Sequence, residues 1–353
     1  MSRATHIAPS ADQTADPQDE DFHPVGADPS WSESYYFYYF DPRHEIGGYT
    51  RLGFRPHDGF RDAVHMLFLK GSRIGFCYER EPHTRGERRT KVGATTLSMS
   101  EPFRAWRIDF AGETQDCPDG RVLVTPRKER PEGWCRANRA RLSLDYQAVS
   151  TPYYSERAGA RGHFEQSGTA RGELQVGDET WSFDGLGLRD KSWGPRPWTN
   201  QTGAPTRPEA AGSPFGQGPG WRVYAIWMTA VFESGLAFAV GCSPTPDGGM
   251  RSQGYLVKDG CNHLLEEIEV GSEYTRESLF QTRCDFRARF DDGTTLDASG
   301  QVLNSGPSKI PQPHGATIVN AAMTRFRLSI GEEGLGLTEY HSSVRRSMNP
   351  QYQ

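Results

Sequence analysis

Residues with acid–base chemistry gather at the middle of the chain. The stretch GLGLRDKSWGPRPW, residues 185–198, sets Asp190 beside Arg189, with Arg196, Trp193 and Trp198 following. Two readings stand. In one, Arg189, Asp190 and Arg196 form a buried salt-bridge cluster, with the two tryptophans as wedges. In the other, Asp190 lies in an apolar chamber, has a raised pKa and serves as an acid or base. One residue can do both. Upstream, HFEQSG holds His163 and Glu165 at i, i+2. On a strand these point the same way, as a proton-sharing pair must, although a surface pair has the same spacing. ESYYFYYF, residues 33–40, puts Tyr35 and Phe37 on one face and Tyr36 and Tyr38 on the other. Such rings fill a core, or line a lipophilic pocket where π-faces steady a developing cation. Glu33 falls on the Tyr35 side and is a candidate third carboxylate. Tyr224 and Trp227, in WRVYAIWMTAVF, are further substrate-binding candidates, and Glu339 and His341 repeat the i, i+2 spacing near the C-terminus.

Other chemistries lack their motifs. The ten histidines show no H-x-H or H-E-x-x-H spacing and no Cys/His cluster, so no metal site is expected. There is no G-x-S-x-G elbow and no P-loop, and G-x-G-x-x-D among strands is not a dinucleotide fingerprint. Cofactor-free proton transfer, hydration, isomerisation or cyclisation remains. With 45 acidic against 40 basic residues, the composition argues against a nucleic-acid partner. No apolar run reaches the roughly 20 residues of a membrane span, and the N-terminus lacks the apolar core of a secretory signal. Six scattered cysteines without C-x-x-C suit reduced thiols in a cytoplasm.

Such side chains need a rigid scaffold, and the patterning supplies strands. RLSLDYQA and RAWRIDF alternate apolar and polar residues with period two. Asp-Gly pairs at 58, 119, 184, 247, 259 and 292 read as hairpin turns. The expectation is a mostly β chain, closed into antiparallel barrels because so many strands would otherwise expose edges. Residues 1–28, polar and proline-containing, read as a disordered tail. The Pro/Gly-rich run from Gly194 to Gly220 separates two strand-rich halves, 29–190 and 191–346.

The midpoint signature, with HFEQSG and RGELQVGDETW before it, resembles that of bacterial AttH-like proteins, of the same superfamily as the carotenoid 1,2-hydratases. DPSWSESYYFYYFDP and GLGLTEYHSSV resemble that group's ends. The chain departs from the usual pattern at Lys191, where a histidine is commoner, and at Pro197, where an aspartate often follows the arginine. The resemblance implies two lipocalin-like β-barrels packed side by side around a hydrophobic ligand chamber. It also implies a hydratase (lyase) or an isomerase or cyclase acting on a terpenoid- or polyketide-like molecule in bacterial secondary metabolism. A lipocalin-like carrier without turnover is the alternative. The two differ in the chamber's polar groups, since a carrier gains nothing from buried carboxylates that each cost several kcal/mol.

Overall fold

Period-two alternation becomes strand wherever the sequence carries it. The computed structural model describes residues 2–6, 13–196, 217–218, 221–245, 250–275, 280–312 and 315–345. After β1 (Ser2–His6), the first half forms β2 (Trp31–Asp41), β3 (Ile46–Arg55), β4 (Phe60–Phe68), β5 (Ile74–Pro82), β6 (Lys91–Val92), β7 (Thr95–Glu101), β8 (Ala105–Cys117), β9 (Arg136–Ala148), β10 (Tyr153–Ala158), β11 (Arg161–Val176) and β12 (Glu179–Pro195). The second half forms β13 (Gln217–Gly218), β14 (Trp221–Val231), β15 (Ala237–Pro244), β16 (Met250–Lys258), β17 (Cys261–Tyr274), β18 (Gln281–Phe290), β19 (Thr295–Gln312), β20 (Gly315–Leu328) and β21 (Glu333–Arg345).

Each half closes on itself. In the first, β2 to β5, β8, β9, β11 and β12 form a ring, because β2 pairs with β12 and β9 pairs with both β8 and β11. In the second, β14 to β21 run as a meander that closes through β14 and β21. Among the described residues pairing is antiparallel, except where β1 lies parallel to β16. Closure leaves few free edges, the problem the patterning raised.

The aromatic block on β2 divides as the alternation requires. Tyr35, Phe37 and Tyr39 face the interior of the first ring, against Trp106, Ile108, Leu142, Leu144 and Tyr146. Tyr38 and Phe40 face outward, packing with Ala239, Tyr255, Leu335 and Leu337 of the second ring. The rings therefore meet outer face to outer face.

Three sequence expectations need correction. Asp184-Gly185 is not a turn but lies within β12. A Cβ on Gly185 would stand 2.1 Å from the Phe40 carbonyl oxygen, so glycine is there to let β12 approach β2. Gly185→Ala should therefore cost about 1–3 kcal/mol by overpacking, measurable by thermal unfolding. β12 also continues in the first sheet to Pro195, paired with Trp31, past the expected boundary at 190.

The third concerns the tail. Residues 13–28 are ordered against the first ring, with a 3-10 turn at Pro17–Glu20 whose N-cap is Asp16. Glu20 is 1% exposed and enters the ring, where Arg189 holds it bidentately: Nη1–Oε2 is 2.8 Å and Nη2–Oε1 is 2.5 Å. Asp19 accepts a hydrogen bond from the Tyr154 hydroxyl at 2.7 Å. A polar, proline-containing composition suggests disorder, but the segment docks through charge pairs made inside an aromatic ring of strands. β1 likewise joins the second sheet, beside β16 and β17.

Candidate active site between the two rings

Strand register brings the candidate acids together. Glu165 on β11 lies opposite Asp190 on β12, Asp190 opposite Tyr36 on β2, and Tyr36 opposite Arg51 on β3. Cross-strand partners share a face, and this one is the outer face turned to the second ring. There they line a cavity of about 1470 Å³, completed from the other side by Tyr224, Trp227, Glu339 and His341.

The polar groups of the cavity form two dyads. His163 Nε2 lies 2.5 Å from Asp190 Oδ2, while its Nδ1 meets the Ser155 hydroxyl at 2.6 Å. On the opposite wall His341 Nε2 lies 2.6 Å from Glu339 Oε1, and the Tyr36 hydroxyl donates to Glu339 Oε2 at 3.3 Å. Between them stands Glu165, 2% exposed, with Oε1 3.8 Å from His163 Nε2. Its Oε2 finds no hydrogen-bond partner among the described residues.

Environment splits the two neighbouring carboxyls. Burial raises the pKa of Glu165 well above the carboxylate range, and the charges of Asp190 and Glu339 raise it further. Burial also acts to raise Asp190, but His163, with Arg196 and Arg51 behind it, reverses the sign and holds it below its ordinary value. The two shifts run in opposite directions, Glu165 toward its neutral form and Asp190 toward its ionised form, the pattern that assigns acid and base roles. Around them the phenols stay neutral: burial, then neighbouring charge, raises Tyr36 and Tyr38 well above normal, and Tyr224 to about 12.

His163, Glu165 and Asp190 present ligand atoms within 4.8 Å of one another, a spread a cation could bridge. Motif spacing could not show this, because the set spans two strands. Here His163 and Asp190 are instead joined by a 2.5 Å hydrogen bond.

Of the residues singled out in the sequence, the cavity gathers Asp190, Glu165, His163, Tyr36, Tyr38, Tyr224, Trp227, Arg196, Glu339 and His341. Glu33, Tyr35 and Trp193 point instead to the interior side of the first ring. Glu33 is ion-paired with Lys191 and lies 2.9 Å from His23 Nδ1. Tyr35 sits in the aromatic core, and Trp193 stacks on His23 with centroids 3.9 Å apart. Odd and even positions on β2 and β12 face opposite ways, so Glu33 and Asp190 cannot share a chamber. Trp198 lies outside the described residues. The expected cluster of Arg189, Asp190 and Arg196 is likewise divided: Arg189 turns inward to Glu20, and Asp190 outward to His163. Sequence reasoning missed Ser155, Arg51 and Tyr153, the last opposite Glu165 on β10. Only the strand pairing reveals them.

The family described as "Domain of unknown function (DUF7064)" matches residues 16–344. The chain belongs to that family. No curated protein sequence matches it. Among solved structures it is similar to a putative AttH from Nitrosomonas europaea, with 12% identity, TM-score 0.59 and coverage of 96% of this chain and 99% of the other. It is also similar to CghA, with 11% identity, TM-score 0.52 and 98% of each chain covered. Kievitone hydratase from Nectria haematococca aligns over 89% of this chain and 88% of its own, with 11% identity. Its TM-score of 0.49 is too low to support an argument. These likenesses establish the AttH-like fold that the midpoint signature suggested. Among the described residues of this DUF7064 member, no helix is long and apolar enough to cross a membrane.

Proposed function

We propose that this protein is a cofactor-independent enzyme acting on a lipophilic terpenoid- or polyketide-like substrate by acid–base hydration, isomerisation or cyclisation. The observation that carries the reading is Glu165: a buried carboxyl with an unpartnered oxygen, beside an ionised Asp190 held by His163. Glu165 delivers its proton to a double bond or carbonyl. Asp190, with His163, takes a proton from the attacking water or from a neighbouring carbon. In hydration an alkene and water thus become an alcohol with no net change in protonation. Tyr36, Tyr38 and Trp227 line the path with π-faces that favour a developing cation. A carrier has no use for a cluster of carboxylates such as Glu165, Asp190 and Glu339 in its binding cavity, which favours turnover over transport. The two rings read as two lipocalin-like domains meeting in the stretch after Pro195, and the reaction class fits secondary metabolism.

Infrared spectroscopy tests the central claim without a known substrate. At neutral pH the protein should show the carbonyl band of a protonated carboxylic acid, and Glu165→Gln should abolish it. A spectrum lacking that band refutes the assignment of Glu165 as the acid. Mass spectrometry of compounds that co-purify with the native protein then supplies the substrate for kinetics. With it, Asp190→Asn should remove most turnover at only a modest cost in melting temperature, because Arg196 and Arg51 act on Asp190 through charge at a distance, without an ion pair among the described residues. A large fall in melting temperature with normal turnover per folded molecule would make Asp190 structural.

A further inference from the structure

The cavity reverses the charge balance of the chain. Eight basic residues line it against four acidic ones, although the whole chain has 45 acidic and 40 basic. Three of the eight lie where β3 and the end of β12 flank β2. Arg51 and Arg55 share a face of β3, and Arg196 continues the face of β12 that carries Asp190 and Ser192. Of these three guanidinium groups only Arg51 has an ion-pair partner among the described residues, Asp62 at 3.0 Å. Arg55 has a cation–π contact with the Phe60 ring at 5.7 Å, and Arg80 stacks on the same ring at 3.9 Å. Between the strands, Ser34 and Ser192 bond each other at 2.8 Å and bring no charge.

Such an arrangement is electrostatically unfavourable. Burial lowers the pKa of both Arg55 and Arg196, and the Arg51 charge lowers each further. Nearby acids offset this only in part: Asp62 and Asp58 for Arg55, Asp190 and Glu156 for Arg196. A bound oxyanion would relieve Arg55 and Arg196 at once, since guanidinium groups suit carboxylate and phosphate geometry.

We propose that the substrate is amphiphilic, with an oxyanion head seated on Arg55 and Arg196 beside Arg51 and a lipophilic body running past Tyr36 and Trp227 to Glu165. This names the substrate class of the site and rests on the acid–base reading above. From strand spacing, the backbones of Arg55 and Arg196 stand roughly 20 Å from that of Glu165, a span their long side chains shorten. The anion thus fixes orientation, and the carbon to be protonated is set by its distance from the head.

Quenching of tryptophan fluorescence by decanoate, decyl phosphate and decanol tests this directly, since Trp134 and Trp227 line the cavity. In the wild-type protein at least one anion should bind tenfold or more tightly than decanol. Tighter decanoate assigns a carboxylate head, and tighter decyl phosphate a phosphate. Raising the salt concentration should narrow the gap. Arg55→Gln/Arg196→Gln should abolish the preference while keeping affinity for decanol, which also shows that the cavity is intact. If the double variant does not fold, each single substitution should remove part of the preference. The surface substitution Arg287→Gln should leave it unchanged. Equal binding of alcohol and anions, or a preference that survives both arginine substitutions, overturns the proposal. The infrared band of Glu165 is read on the same wild-type sample. A missing band with the anion preference intact defeats the acid–base reading alone, and a present band without the preference defeats this proposal alone.

Discussion

Glu20→Ala should lower the melting temperature by roughly 10 °C, from a loss of about 3–5 kcal/mol at 2–4 °C per kcal/mol. The cost follows from what remains. Arg189 is 1% exposed inside the first ring, and its other polar contact is Nε to Gln166 Oε1 at 3.0 Å. Its guanidinium carbon lies 5.0 Å from the centre of the Phe164 ring, a contact that cannot replace a carboxylate. The substitution also removes the acceptor of the Phe103 amide, bonded to Glu20 Oε1 at 2.6 Å. Truncation of residues 1–27 should lower the melting temperature at least as much, since it also removes β1 from the second sheet, against the reading of 1–28 as a disordered tail. The control is Glu20→Leu with Arg189→Met, which replaces both charges with apolar volume and should recover most of the loss. If Glu20→Ala melts within a degree or two of wild type, the segment does not dock in solution.

That contact marks where the sequence stops being legible. Strands were readable because RAWRIDF and RLSLDYQA bury alternate residues, a local signal that tertiary contacts reinforce. Asp58-Gly59, Asp259-Gly260 and Asp292-Gly293 are turns with positive φ at each glycine, as the dipeptide implies. Asp184-Gly185 shows the limit: glycine serves a turn in one place and close strand approach in another, and only the neighbouring chain decides. The site was half legible for the same reason. His163 with Glu165, and Glu339 with His341, were visible as i, i+2 pairs because a strand fixes their side. Glu33 was misplaced because its parity relative to Asp190 depends on the β2–β12 register, in which Glu33 faces Trp193. The partner of Arg189 could not be read at all. It lies 169 residues upstream, in a segment whose composition resembles solvated chain.

Glu165→Gln should cut turnover by about 10²–10⁴-fold, the range a positioned general acid supplies, while leaving the protein at least as stable as wild type. The amide keeps the shape of the carboxyl but has no acidic proton. Stability should part from activity because of the sign of the pKa shift. Burial and the neighbouring charges of Asp190 and Glu339 raise Glu165 in the folded state. Its neutral form therefore supports the fold fully below the ordinary carboxylate pKa, and that support fades as pH rises through the raised folded value. Glutamine cannot ionise. The variant's melting temperature should match wild type in acid, exceed it increasingly above the ordinary carboxylate pKa, and hold a constant lead once pH passes the raised folded value. Wild-type turnover at subsaturating substrate should decline around that same folded value, so the plateau of the stability gap and the midpoint of the turnover curve should coincide. Asp190→Asn provides the cross-check: with that charge gone, the midpoint for Glu165 should shift to lower pH. A plateau and a turnover midpoint that disagree, or a midpoint that ignores Asp190→Asn, would place the catalytic proton elsewhere, with the Glu339–His341 dyad across the cavity as the next candidate.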